Sequence, residues 1–179
     1  MTTRPLLRLS RRSLMKKSAL ATLALGVGVP AFSGTAAATS CPRTPGYWMN
    51  HDWPDGGLAK VNQKLGTDFQ SVEEGQAFLK MPTRGDKGVI MATHLIATIL
   101  NFQGRDGSEP TCVDAYLADY DTTVREAKQN AESWLADSSF PAAQRRWRVA
   151  GVDGEELKDV LDAFNNNALG LDCGCGTLE

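Results

Sequence analysis

Signatures of the common hydrolases are missing from this sequence of 179 residues. It contains only two histidines, His51 and His94, and neither has a second metal ligand at helical spacing, so no H-E-x-x-H arrangement is present. No G-x-S-x-G segment supplies an activated serine. A histidine that acts as a general base needs a nucleophile or an activated water beside it. These absences favour a protein that is not an enzyme.

Long hydrophobic runs are missing as well. The apolar run from about Ala19 to Phe32 contains two glycines, and it is shorter than the roughly 20 residues that a membrane-spanning helix needs. Residues 1–38 also contain no Asp or Glu, although they contain six Lys or Arg. This composition is typical of an export signal rather than of a membrane anchor. We therefore predict no stable membrane span after cleavage.

A twin-arginine pattern precedes the apolar run. Arg11 and Arg12 lie in the segment S-R-R-S-L-M-K, and small residues around Ala38 are suited to a signal peptidase. We predict a twin-arginine signal peptide over residues 1–38, with the twin-arginine translocase as partner during export. Residues 39–179 then form a single secreted domain, extracellular or at the cell surface. An uncleaved anchor helix and a lipid on Cys41 remain as alternatives.

Charge is distributed unevenly between these two parts. All 21 acidic residues follow residue 38, where only 13 Lys or Arg remain, so residues 39–179 carry a formal net charge of −8. A surface this acidic argues against nucleic-acid binding and suits a halophilic extracellular medium. Twin-arginine export carries folded proteins, either because a cofactor is loaded first or because the chain folds fast in salt. The acidic charge favours fast folding, and we predict no cofactor.

Four cysteines follow the signal: Cys41, Cys112, Cys173 and Cys175. In an exported protein an even number indicates disulfides, and four cysteines allow three pairings. Cys173 and Cys175 are separated by one glycine, and closing so small a ring is strained. We therefore expect the tail to be joined to Cys41 and Cys112. A four-thiolate metal site and a redox-active Cys173–Cys175 pair are alternatives with less support.

Helical patterns follow the first cysteine. Apolar residues cover nearly the whole circumference of residues 87–102, which predicts a buried central helix. Ser71 and Asp153 each have a Glu three residues later, which predicts capped helix starts. Three- and four-residue spacing predicts short helical turns over 58–65, a long helix over 112–135 and a short helix within 141–150. The fold class is mainly α, an irregular bundle of four to five helices with a disulfide-stapled tail.

The segment from Cys41 to Pro54 differs from the rest because it combines three prolines with three aromatic residues. Prolines interrupt regular hydrogen bonding, so we predict an extended segment held by tertiary contacts. Exposed rings beside amide and carboxylate groups suit glycan or polymer binding. The candidate ligand contacts are Tyr47, Trp48, Asn50, His51 and Trp53. The alternative is that the rings fill the helical core.

Two blocks of the chain resemble a known family. T-P-G-Y-W-M-N-H at residues 44–51 resembles the "GYWKNH" opening of a domain in secreted bacterial and archaeal surface proteins. L-K-M-P-T-R-G-D at 79–86 and H-L-I-A-T-I-L-N at 94–101 resemble its second block. Met49 replaces a usual Lys and His94 a usual Gln. The resemblance implies location and fold, and no established activity comes with it.

These observations lead to two functional hypotheses. The first is a non-catalytic domain at the cell surface or outside the cell that binds a surface protein or a glycan. The second is a metal-dependent extracellular hydrolase that uses His51, His94 and nearby carboxylates such as Asp52, Asp55 and Asp86. The basic cluster at residues 145–148 is interpreted as a solvated helix face with its own ion pairs, and contact with an acidic partner surface is the alternative. The missing catalytic signatures favour the first hypothesis.

Overall fold

The computed structural model describes residues 41–104, 107 and 109–173. Within these ranges the helices are α1 (Pro45–Trp48), α2 (Gly57–Leu65), α3 (Val72–Leu79), α4 (Lys87–Gln103), α5 (Val124–Asp137) and α6 (Gly154–Asn165). Two short antiparallel hairpins complete the fold: β1 (Tyr116–Leu117) with β2 (Thr122–Thr123), and β3 (Arg148–Val149) with β4 (Val152–Asp153). The prediction of a mainly α fold is confirmed.

Helix α4 is the centre of the core, as its apolar circumference predicts. It packs against α1, α2, α5 and α6, and Met91, Leu95, Ile96 and Leu100 are fully buried on it. Its start is fixed by Asp86, whose carboxylate accepts hydrogen bonds from the Gly88 and Val89 N–H groups. None of the helices in the described ranges is long and apolar enough to cross a membrane.

Local capping chemistry sets two other helix starts as expected. The Ser71 hydroxyl accepts from the Glu74 N–H at the start of α3, and the Asp153 carboxylate accepts from the Glu155 N–H at the start of α6. The Glu74 side chain does not complete the box on Ser71, because it accepts from the N–H of Gln70 instead. Helix α6 packs against α4, whereas α3 contacts α1.

The predicted helix over residues 112–135 is wrong in its first half. Helix α5 begins only at Val124, where Thr123 and Glu126 form a reciprocal capping box. The preceding residues form turns and the β1–β2 hairpin, in which Tyr116 pairs with Thr123. The apolar residues of this stretch still reach the core, because Val113 and Leu117 are buried. The three- and four-residue spacing therefore reflects the burial of these side chains and not a helical backbone.

The short helix expected within residues 141–150 is also absent. This stretch instead leads into the β3–β4 hairpin, whose two-residue loop is Ala150–Gly151. Both loop residues have positive φ, 48° and 87°, which is the geometry of the tight turn that joins short antiparallel strands. The glycine permits this conformation because it has no Cβ.

The N-terminal segment contains one helical turn where the sequence predicted extended chain. Thr44 is extended, as expected before a proline, and its hydroxyl accepts from the Tyr47 N–H at 3.1 Å. Pro45 then occupies the first helical position, where its missing N–H costs nothing. Residues that disfavour the interior of a helix thus form a good helix start. With α1, the described residues contain six helices.

Candidate functional site

Trp48 and Trp53 belong to the core. Trp48 is 2% exposed and Trp53 is 7% exposed. The indole N–H of Trp53 donates to the Trp48 carbonyl at 3.0 Å, and its ring lies so close to Gly75 that a Cβ there would be 2.3 Å from Cη2. These two predicted contact residues therefore have the core role that the sequence left open as the alternative.

A single buried amide, that of Asn101 on α4, fixes the N-terminal segment. Its Oδ1 accepts from the Arg43 backbone N–H (2.8 Å) and the Trp48 indole N–H (3.0 Å). Its Nδ2 donates to the Arg43 carbonyl (2.9 Å) and to Oδ1 of Asn165 on α6 (2.8 Å). Asn101 is 3% exposed, and both lone-pair positions and both N–H groups of its amide are used. The segment is thereby held to α4 and α6 at once.

Tyr47 and His51 form the accessible part of the predicted contact. Their rings stack in parallel, with centroids 3.9 Å apart and planes 6° apart. The His51 Nδ1–H donates to the Tyr47 carbonyl at 2.8 Å, and the guanidinium of Arg43 lies 5.2 Å from the Tyr47 ring centre. His51 is exposed and Tyr47 is half-buried. The neighbouring Asn50 is exposed, and its Nδ2 donates to the Gly46 carbonyl.

A polar cleft of about 950 Å³ lies beside this stack, and Asp52, the residue after His51, is part of its lining. Its charged lining consists of three carboxylates and four basic side chains: Asp52, Asp55, Glu109, Lys60, Lys64, Arg125 and Lys128. Most of the basic groups are already paired. Lys64 and Lys128 share Glu132, at 3.1 and 2.5 Å.

Arg125 bonds to Asp114 and Glu109, at 2.6 and 2.8 Å, and these bonds hold the pKa of the Asp114 carboxyl below its usual value. Because the charges of the cleft lining nearly cancel, the cleft has no strong preference for either sign of ligand charge.

The two histidines have separate environments. His94 lies on α4 with 18% of its side chain exposed, and its Nδ1 is 3.6 Å from Oδ1 of Asp162, too far for a hydrogen bond. Burial lowers the pKa of His94, and the nearby Asp162 carboxylate opposes this only in part. Within the part of the chain that the structure describes, no group of three His, Cys, Asp or Glu side chains could hold a metal ion.

The described cysteines are oxidised. Cys112 and Cys173 form a disulfide across 61 positions with a Cα–Cα distance of 4.6 Å, and Cys41 is also disulfide-bonded. The predicted connection of the tail to Cys112 is confirmed, and it does not fit a four-thiolate metal site or a Cys173–Cys175 redox pair. Cys175 lies outside the described residues, as do Arg11, Arg12 and the predicted signal peptide.

Asn101 and Asn165 are the important residues that sequence reasoning missed. The sequence did contain a signal for Asn101, because it is a polar residue in a helix that was predicted to be buried. A buried amide requires hydrogen-bond partners. Comparison with known proteins gives no further guide, because no family model, no curated protein and no solved structure matches this chain. The resemblance to the GYWKNH-type domain stays a prediction.

Proposed function

We propose that this chain is a secreted, non-catalytic domain that binds another component of the cell surface or its surroundings, a surface protein or a glycan. The supporting observation is the accessible stack of Tyr47, on α1, with His51, which follows three residues after the end of that helix. Asn50 beside it and the cleft that begins at Asp52 supply polar groups. Aromatic faces next to amides and carboxylates suit the apolar faces and hydroxyl groups of sugars.

The stack is held in place before any ligand arrives. Trp48, the last residue of α1, is buried and bonded to Asn101, so the helix that carries the Tyr47 ring is attached to the core. His51 is fixed at both ends, because its ring donates to Tyr47 and its carbonyl accepts from Nε2 of Gln76 at 2.9 Å. Binding through such a surface costs little side-chain entropy, which is the main benefit of preorganisation.

A matched pair of tyrosine variants tests this surface. The protein secreted by its own host is applied to an array of neutral and acidic oligosaccharides and to isolated cell envelopes. We expect Tyr47→Ala to weaken the binding found there by about tenfold or more, because a central aromatic contact is removed. Tyr116→Ala is the control, since Tyr116 is 63% exposed on a hairpin elsewhere. Equal loss in both variants, or binding to neither probe, would contradict the proposal.

Export by the twin-arginine route is tested separately. We expect the Arg11→Lys/Arg12→Lys double variant to accumulate as a precursor inside the cell, because the translocase reads the arginine pair. Arg4→Lys/Arg8→Lys makes the same change outside the pair and serves as the control. Immunoblots of cell and medium fractions measure the outcome. Normal secretion of the Arg11/Arg12 variant would refute this route.

A further inference from the structure

Two stretches of chain meet at the start of α4, and neither has a described bond or ring contact with Tyr47 or His51. The Lys87 N–H donates to the Gln144 carbonyl at 2.7 Å, and the Gln144 N–H donates to Asp86 Oδ1 at 3.2 Å. The Arg145 guanidinium donates to the Arg84 carbonyl at 2.9 Å. These bonds place Arg84 and Lys87 beside Arg145, and two more arginines follow Arg145 closely in the chain. We call these five basic residues the arginine face: Arg84, Lys87, Arg145, Arg146 and Arg148.

None of the five forms an ion pair within the described ranges. Of the other described basic residues, four form ion pairs (Lys64, Arg125, Lys128 and Lys158) and three form none (Arg43, Lys60 and Lys80), so five of the eight unpaired cations belong to the arginine face. The nearby Asp86 carboxylate already accepts three backbone N–H groups. The four arginines are exposed. Unpaired cations are therefore concentrated on one face of a chain whose residues 39–179 carry a net charge of −8.

Trp147 lies within the arginine face and gives it an apolar component. Its ring is half-buried, with Lys87 Nζ 5.0 Å from the ring centre. It also packs against Trp134 at 5.9 Å, whose indole N–H donates to the Trp147 carbonyl. The core thus fixes the backbone between Arg146 and Arg148, from which these two exposed side chains extend.

We propose that the arginine face binds an anionic polysaccharide that carries carboxylate or sulfate groups. A planar guanidinium group can donate two parallel hydrogen bonds to one such oxyanion, whereas the ammonium group of lysine cannot. Double-stranded DNA carries one negative charge per about 1.7 Å of its axis, and the acidic remainder of the surface would repel so densely charged a polymer. The proposed extracellular location likewise favours a polysaccharide over a nucleic acid. This inference goes beyond the proposed function, because it concerns another face and shares with it only the extracellular location.

Binding is measured by fluorescence anisotropy with labelled polygalacturonate, dextran sulfate and neutral dextran. The test variant is Arg146→Gln/Arg148→Gln, because neither side chain makes a described hydrogen bond whose loss would disturb the fold. Lys60→Gln/Lys80→Gln removes the same charge elsewhere and is the control. We expect one or both polyanions to bind, with affinity reduced about tenfold in the arginine variant and about twofold or less in the control. Binding should weaken from about 50 to 500 mM NaCl.

The preferred polyanion identifies the anionic group, since polygalacturonate carries carboxylates and dextran sulfate carries sulfates. Equal binding of neutral dextran, equal loss in both double variants, or no binding of either polyanion would overturn the inference. Tighter binding of single-stranded DNA would also overturn it. Tyr47→Ala should leave polyanion binding unchanged, so a failure of this inference is distinguishable from a failure of the proposed function.

Discussion

Replacing Asn101 by leucine tests whether one amide holds the N-terminal segment to the domain. Leucine has the same number and branching of heavy side-chain atoms as asparagine, and its side chain neither donates nor accepts a hydrogen bond. The substitution would leave the Trp48 indole N–H and Asn165 Oδ1 without their Asn101 bonds in the interior, along with the N–H and C=O of Arg43. The two Arg43 groups lie in a half-buried residue, so water can replace part of their loss.

The magnitude follows mainly from the Trp48 indole N–H, which has no other described acceptor, because Asn165 Oδ1 still accepts from the Thr98 hydroxyl at 3.1 Å. Leaving one buried polar group unsatisfied costs about 1–3 kcal/mol, so the free energy of unfolding should fall by about 1–3 kcal/mol. A domain of this kind has only about 5–15 kcal/mol in total, so this one change would remove a large part of its stability. The effect is measured by urea unfolding with the disulfides intact, at constant m-value.

Asn50→Leu is the matched control, because Asn50 is exposed and makes one local bond. We expect a change of less than about 0.5 kcal/mol there. Trp48→Phe removes the indole donor, so in the double variant with Asn101→Leu the two losses should not add. A loss below about 1 kcal/mol for Asn101→Leu, or full additivity with Trp48→Phe, would refute the reasoning.

Three further predictions concern stability. Gly75→Ala should cost about 1–3 kcal/mol despite the better helix propensity of alanine, because its Cβ would overlap the ring of Trp53. The double change Cys112→Ser/Cys173→Ser should cost roughly 4 kcal/mol, the loop-closure value for 61 positions, measured by urea unfolding. Burial lowers the pKa of His94 in the folded state, so its contribution to stability is complete above about pH 6.5 and is lost as pH falls below it. His94→Gln should therefore reduce the decline in unfolding free energy between about pH 7 and 5.

Each of these has its own control. Gly46→Ala places a Cβ in ordinary contact, 3.6 Å from Oγ1 of Thr44, and should not destabilise; equal losses at both glycines would argue against overlap with Trp53. Added reductant should lower the unfolding free energy of the wild type by breaking the Cys112–Cys173 bond. The serine variant lacks this bond and should not show that part of the loss. A decline with pH that is identical in wild type and His94→Gln would refute this role of His94.

Local chemistry made much of the fold predictable. Helix α4 follows from an apolar circumference, and the starts of α3 and α6 follow from Ser71 and Asp153, whose side chains bond within their own helical turn. The same chemistry could have corrected α5, since the Thr123–Glu126 capping box lies inside the helix that was predicted to start at residue 112. Apolar spacing was given more weight than a cap, and spacing does not distinguish a helix from packed turns.

The candidate site was predictable only as a list of residues. Burial of Trp48 depends on Asn101, 53 positions later, and no local pattern reports a partner so distant. The His51 ring stacks on Tyr47 four positions earlier, and this pairing was within reach once α1 was known to be helical. The prediction of an extended segment around the prolines excluded the helical turn that brings these two rings together. The arginine face likewise needs the contact between Asp86 and Gln144, 58 positions apart.

The amide of Asn101 also has a consequence for the order of events during synthesis. It connects Arg43, 58 positions earlier, with Asn165, 64 positions later. At about 5–20 residues per second, on the order of ten seconds pass between translation of the first partner and of the last. During that interval Trp48 lacks its buried environment and is available to chaperones. A translocase that accepts only folded cargo, as the signal predicts, would therefore act after Asn165 has been synthesised.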